Sequence, residues 1–410
     1  MNAQLALKPV RDAVFRANPN YELVALDQLP AAQQGYLSQL NDLPDCFALL
    51  RPRTTDGLLI KSVGSETAQL FAALQEPGLL PQASHDQLAA EADPNRTLVE
   101  LVLDGVLEIS FAGAFVSGAE AYTAVYDAAF TLTADGHLAR LSLQALQRAQ
   151  LLPDQDSATI SNYLYSDNRL PLSPYWTRRL PSADSVGSYL GLGAQTTMTR
   201  KLDKFWLQPN SRSDTQESGW RYWQARSLNF SADPAQAIYK LYISPLPTHL
   251  PEVFAEAIDV FAACEVQQFK IGKNVGELLR PDKLIVYVET LDKLHQVASS
   301  LCDRLAGIEA HGVPFTAELG LDGLLSWGMD PPSTEYSTAW KQRESWRLWI
   351  CNRLAIALAE ARRQPNASIS AWQFALERLR LDGVDPSTWT PISGLWQSAS
   401  SSEVLSGSHL

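Results

Sequence analysis

Ile238-Tyr239-Lys240-Leu241-Tyr242-Ile243-Ser244 alternates apolar and polar side chains along a run rich in aromatic and β-branched residues. In an extended strand successive side chains point to opposite faces, so Tyr239, Leu241 and Ile243 fall on one side and Lys240, Tyr242 and Ser244 on the other. One face is apolar; the other carries groups able to do chemistry. A second strand-like run, Gln268-Phe269-Lys270-Ile271-Gly272, again sets a lysine among apolar neighbours. A third stretch, Leu278-Leu279-Arg280-Pro281-Asp282-Lys283-Leu284-Ile285-Val286-Tyr287-Val288, leads from a helical turn ending near Arg280 into an apolar strand. Lysine and arginine at the edges of adjacent strands predict an anion pocket.

The residues that follow add further cations. Gly272-Lys273-Asn274-Val275-Gly276 permits a tight strand-to-helix turn, but its spacing is that of neither a P-loop nor a dinucleotide fingerprint. Leu324 to Pro332 reads as a strand running into a rigid loop. From Glu344 to Arg363 the apolar residues Trp346, Trp349, Ile350, Leu354 and Leu358 recur at mostly helical spacing, which predicts a long helix. Arg343 and Arg347 lie four apart and share a face. Arg353 falls about 240° further round the wheel than Arg347.

Upstream, Cys46 to Arg51 and Leu58 to Val63 read as a hairpin turning at Thr54-Thr55-Asp56-Gly57. A helix from Ser65 to about Gln75 follows, closed by Pro77-Gly78. Thr97 to Ile109 reads as a second hairpin turning at Asp104-Gly105. The stretch from Asp154 to Arg179 is rich in Asp, Ser, Asn and Pro and marks a boundary near residue 155. The expected organisation is α+β: a smaller α+β domain over 1–154, a second domain over 155–395, and a Ser-rich disordered tail over 396–410.

At 410 residues the chain exceeds the size at which one hydrophobic core usually stops growing, and its 46% hydrophobic and 19% charged residues are those of a globular protein. The net charge of −12 argues against nonspecific nucleic-acid binding, which relies on a basic surface. Residues 1–150 hold nine Lys and Arg against seventeen Asp and Glu, so the acidic excess is mostly N-terminal and leaves room for a local basic pocket later. No apolar run is long enough to cross a membrane and the N-terminus lacks the layout of a signal peptide, which makes the cytoplasm the expected compartment. Cys46, Cys264, Cys302 and Cys351 show neither zinc-ligand nor disulfide spacing.

Lys240-Leu241-Tyr242-Ile243-Ser244 resembles the Lys-Leu-His-Ile-Ser strand of the phosphothreonine lyases, a family of bacterial effectors and lanthipeptide synthetase lyase domains, except that tyrosine replaces histidine. The resemblance spans Tyr163 to Trp389, mostly by order of elements. It implies a mainly antiparallel sheet flanked by helices and a metal-independent, cofactor-free β-elimination of phosphate from phosphoserine or phosphothreonine. It further implies that Lys270 is the base, that Lys240 is its electrophilic partner, and that Arg280, Arg347, Arg343 and Arg353 hold phosphate. By the residues alone the two lysines' roles are interchangeable. Tyr242 stands where the family has its proton donor, with His311 or His249 as replacement acids. The implied partners are a phosphorylated precursor peptide or protein and a separate kinase, with no nucleic acid and no membrane.

These residue types suit that chemistry. The Cα proton is weakly acidic, so the base must be strong yet unprotonated near neutral pH, which a lysine achieves when burial and nearby cations disfavour its ammonium form. The planar fork of arginine matches a phosphate. Two other readings stand beside this one. For any single arginine, an ion pair with Asp282, Glu289 or Glu344 is the simpler account. A chain with tyrosine in place of the histidine also fits a non-catalytic phosphopeptide-binding adaptor or effector-like protein.

Overall fold

The computed structural model describes residues 7–28, 46–54, 59–88, 93–134, 136–153, 156–208, 219–227, 238–331 and 344–392. Arg343, most of the Thr54–Gly57 turn and the Ser-rich tail lie outside them. The fold is α+β with antiparallel sheets.

Two three-stranded antiparallel sheets occupy the N-terminal part. The first joins β1 (Phe15–Ala17), β5 (Leu107–Phe111) and β6 (Ala114–Val116); the second joins β2 (Tyr21–Ala25), β3 (Ala48–Pro52) and β4 (Lys61–Val63). The pairing of β3 with β4 is the first expected hairpin, and helix α1 (Ser65–Ala73) follows it as expected. The second expected hairpin is overturned: Pro94–Leu103 is a helix, α2, and only the part after Gly105 is a strand. Asp93 caps it by accepting from Arg96 N, and Pro94 sits at its first turn, where a missing N–H costs nothing. Leu98, Val99, Val102 and Leu103 are buried at helical spacing.

Among the described residues the largest sheet has seven strands in the order β12-β13-β9-β11-β10-β8-β7, each pair antiparallel. These are β7 (Trp206–Leu207), β8 (Trp220–Ala225), β9 (Tyr239–Ile243), β10 (Gln268–Gly272), β11 (Leu284–Val288), β12 (Ala317–Glu318) and β13 (Leu325–Met329). The strands of Lys240 and Lys270 are therefore not adjacent, because β11 lies between them. Gly272 ends β10 where a Cβ would meet Glu277 of the short helix Val275–Leu278, so only glycine allows the chain to turn this closely.

The apolar face of the sheet, with Leu241, Ile243, Phe269, Ile271, Leu284 and Val286, packs on two helices. They are α4 (Leu250–Ala263), through Val253, Phe254, Ala257 and Phe261, and α5 (Leu291–Arg304), through Leu294, Val297 and Leu301. Each such large side chain removed from water contributes about 1.5–3 kcal/mol before entropy is counted. A second apolar core joins Phe15, Leu50, Phe71, Leu98, Val102 and Leu146 to α3 (Ser157–Ser166), α6 (Trp346–Ala361) and α7 (Ala371–Leu381). Its members include Ile160 and Leu164 of α3 as well as Trp346, Trp349 and Phe374, so side chains on both sides of residue 155 share it. No helix among the described residues is long and apolar enough to cross a membrane.

Candidate functional site

Strand register decides which side chains meet on the polar face. Lys270 is opposite Ile285 and Tyr222, Ile285 is opposite Tyr242, and Tyr287 is opposite Lys240. Tyr242 in turn faces Ser326, and Gly272 faces Trp220. Trp220, Tyr222, Lys270, Tyr287, Lys240 and Tyr242 thus share the face opposite α4 and α5. Trp346 at the start of α6 packs against Gly328, where no Cβ fits, and so covers the β13 side. Over β8 and β10 the face is only half-buried, at Trp220, Tyr222 and Lys270.

The two lysines have different surroundings. Lys240 is 6% exposed and its Nζ lies 2.6 Å from Asp330 Oδ1, an oxygen that also accepts from the backbone N–H of Trp346 at 2.9 Å. The amine is thereby tied to the N-terminus of α6. Lys270 has no ion pair among the described residues. Its Nζ is 4.4 Å from the centre of the Trp220 ring and 5.7 Å from that of Tyr287, while Lys240 Nζ is 5.6 Å from the same tyrosine ring. Burial, then the neighbouring charge of Lys240, lowers the pKa of Lys270 to about 8, with Arg280 adding to the effect and Asp282 and Asp330 opposing it.

Arg280 and Arg347 converge on one buried carboxylate. Arg280 donates from Nε and Nη2 to the two oxygens of Asp282 at 2.8 and 3.0 Å, and Arg347 Nη1 lies 2.9 Å from Asp282 Oδ2. Burial works against the ionised carboxylate, but Arg347 and Arg280 outweigh it and hold Asp282 well below the usual range. Tyr165 of α3 lies under both guanidiniums, 5.4 and 4.8 Å from its ring centre, and its hydroxyl accepts from Arg280 at 3.0 Å. Arg347 is 1% exposed and also donates to Pro314 O and Tyr165 O. The guanidinium of Arg280 is the more exposed of the two, and it lies 5.2 Å from the Trp220 ring centre. Cations and aromatic rings therefore alternate: Lys240, Tyr287, Lys270, Trp220, Arg280, Tyr165, Arg347.

Tyr242 is 2% exposed, and burial, then Asp330, pushes its hydroxyl well above the ordinary tyrosine value. His311 is held at both ring nitrogens: Nδ1 is 2.8 Å from Lys283 Nζ and Nε2 is 2.6 Å from Asn168 O. The carbonyl can only accept, so Nε2 carries the proton and Nδ1 accepts from Lys283. Burial and then Lys283 lower the His311 pKa to about 3, so the ring is neutral at physiological pH. Lys283 is fully buried, donates to Pro245 O at 2.9 Å, and has its pKa lowered by burial to about 7.

The structure thus groups Lys240, Lys270, Tyr242 and Arg280, with Arg347 beneath Asp282 and His311 at the far end of the same face. Arg353 is elsewhere, its guanidinium 5.2 Å from the Trp349 ring centre and its charge acting on Glu344. The simpler account of the arginines holds in part, since Asp282 does pair with Arg280 and Arg347, but in the interior rather than at a solvated edge. Asp330, Lys283, Tyr287 and Trp220 were not legible as parts of this site. Alternation along Trp220-Arg221-Tyr222-Trp223 and along Lys283 to Tyr287 is the signal that finds three of them; nothing local marks Asp330. Among the described residues no cluster of His, Cys, Asp and Glu is arranged to hold a metal ion.

Comparison with solved structures gives weak likenesses. An effector protein from Pseudomonas syringae pv. syringae strain 61 aligns over 64% of this chain and 99% of its own, at 14% identity and a TM-score of 0.40. The type III effector and phosphothreonine lyase OspF from Shigella flexneri aligns over 42% and 89%, at 14% identity and 0.24. The phosphothreonine lyase SpvC from Salmonella aligns over 52% and 97%, at 13% and 0.23. Scores this low do not establish a shared fold. No protein-family model matches the chain, and no curated protein matches it.

Proposed function

We propose that this protein is a phosphoserine/phosphothreonine lyase that eliminates phosphate from a phosphorylated peptide, leaving dehydroalanine or dehydrobutyrine. The observation that carries the reading is Lys270: a half-buried amine without a carboxylate partner among the described residues, beside Lys240, with its pKa lowered to about 8. Roughly a tenth of it is the free base at pH 7. In the proposed reaction Lys270 Nζ takes the Cα proton, the electron pair forms the Cα–Cβ double bond, and the Cβ–O bond breaks with both electrons leaving on phosphate.

The other groups stabilise charge where it develops. Lys240, fixed by Asp330, donates to the substrate carbonyl as the enolate forms. Arg280 meets the departing phosphate with its exposed edge, while Arg347 supports it from beneath through Asp282. Four cations against two carboxylates leave this face electropositive, which suits a dianion. Lanthipeptide-like peptide maturation is the setting we propose, with a separate kinase supplying the phosphopeptide. The N-terminal part is proposed to bind the precursor's leader as an added edge strand.

The burial of Tyr242 favours a second reading, in which the site binds phosphopeptide without turnover, because its raised pKa makes it a poor acid. Incubation with a phosphothreonine peptide followed by mass spectrometry separates the two. Elimination removes phosphoric acid, hydrolysis restores threonine, and binding alone leaves the mass unchanged.

A further inference from the structure

We infer that Trp220 is a positioning residue of this site: its indole forms the wall between Lys270 and Arg280, keeping water from the amine and fixing its separation from the guanidinium. The inference rests on the lyase reading for its purpose but not for its test. Trp220 opens β8 and, by its pairing with Gly272, lies on the polar face next to Lys270. Its ring centre is 4.4 Å from Lys270 Nζ and 5.2 Å from the Arg280 guanidinium carbon. No other ring lies against both groups among the described residues. An elimination needs its base at Cα and its phosphate ligand at the Cβ oxygen, so the spacing of these two cations must match the length of one phosphorylated side chain. A rigid bicyclic ring between them sets that spacing.

The indole acts on the amine in two opposing ways. Its π face attracts the ammonium form, an effect worth less than about one pH unit at a half-exposed site. Its bulk excludes water, and burial is the leading cause of the fall from 10.5 to about 8. An upward midpoint on substitution means that exclusion exceeds attraction. The other groups facing the amine are Lys240 from β9, Asp330 beyond β13, Arg280 and Asp282 from the β10–β11 connection, Tyr287 from β11 and Tyr222 from β8. Substitution of Trp220 removes none of these groups.

The test compares Trp220→Ala and Trp220→Phe with the parent protein by two measurements. One is the pH dependence of kcat/KM on a phosphothreonine peptide; the other is the pH dependence of Lys270 acetylation by acetic anhydride, followed by peptide mass mapping. The Ala variant is expected to move both midpoints up by about one pH unit or more, with lost activity regained at high pH, while Phe moves them by less than half as much. If the Ala variant does not fold, Trp220→Gln is read the same way. An unchanged acetylation midpoint in the folded Ala or Gln variant overturns the inference. A shifted acetylation midpoint in a protein that eliminates no phosphate supports the role of Trp220 and refutes the lyase reading.

Discussion

The amine nitrogens of Lys240 and Lys270 lie 5.6 and 5.7 Å from the centre of one ring, that of Tyr287 on the strand between theirs. The ring lies beside two like charges, one buried and one half-buried. One of the pair, Lys240, is neutralised by Asp330; the other absorbs the cost through its lowered pKa. In the proposed reaction the ion-paired amine is the electrostatic partner and the unpaired one the base, because burial and a neighbouring cation disfavour the ammonium form of Lys270.

Asp282→Ala removes the carboxylate shared by Arg280 and Arg347 and leaves the Arg347 charge buried and uncompensated. Loss of about 3–5 kcal/mol of stability is expected, read from the shift of a urea unfolding midpoint. A midpoint equal to that of the parent protein contradicts the burial of Arg347.

Gly328→Ala places a methyl group into the indole of Trp346, whose N–H donates to Phe315 O and whose backbone N–H donates to Asp330. The helix carrying Arg347 must shift to make room. Thermal unfolding is expected to show about 1–3 kcal/mol of destabilisation. An unchanged transition shows that α6 does not seat against β13.

Stability is expected to rise with pH between about 7 and 8. Lys283 and Lys270 have folded pKa values near 7 and 8, whereas in the unfolded chain both titrate near 10.4. Over this window the unfolded state therefore binds more protons, and the unfolding free energy climbs with pH. Asp282, held low, affects only acidic pH; the Cys351 thiol, pushed up to about 12 by burial, opposes the rise above about pH 8, and the raised tyrosines act only above about 10. Urea midpoints at pH 7, 7.5 and 8 check this, and Lys283→Met flattens the slope. A flat or falling series in the parent protein is the contrary result.

Much of the fold is visible in the sequence where one local period is strong. The alternation of Tyr239 to Ser244 sorts an apolar from a polar face because a half-buried strand repeats every two residues. The long helix carrying Arg347 follows from the spacing of Trp346, Trp349, Ile350 and Leu354. The segment 94–103 misleads because Leu98-Val99-Glu100-Leu101-Val102-Leu103 satisfies a loose alternation as well as a helical stripe, and the Asp93-Pro94 cap decides it. Strand order was not legible, since pairing joins residues far apart in the chain and placed β11 between the two lysines. The same holds for Asp330, ninety positions from the lysine it holds. The burial of Arg347 is hidden because apolar residues surround α6 on nearly every side, so no polar stripe points its guanidinium inward or outward.

Tyr242→Phe is expected to lower kcat by no more than about tenfold, the worth of one hydrogen bond. A hydroxyl titrating well above 10 stays protonated throughout the neutral range, so kcat/KM is expected to show an acid limb near pH 8 from Lys270 and no alkaline limb below about 10. A steep fall between pH 8 and 9 contradicts this assignment.

Whether Lys270 is the base of a β-elimination is decided by comparing the parent protein with Lys270→Ala on one phosphothreonine peptide, following dehydrobutyrine formation by mass. Elimination by the parent protein and a loss of about 10²–10⁴-fold in the variant are expected, with phosphopeptide binding retained. Full activity in Lys270→Ala, or no elimination by the parent protein, contradicts that role of Lys270.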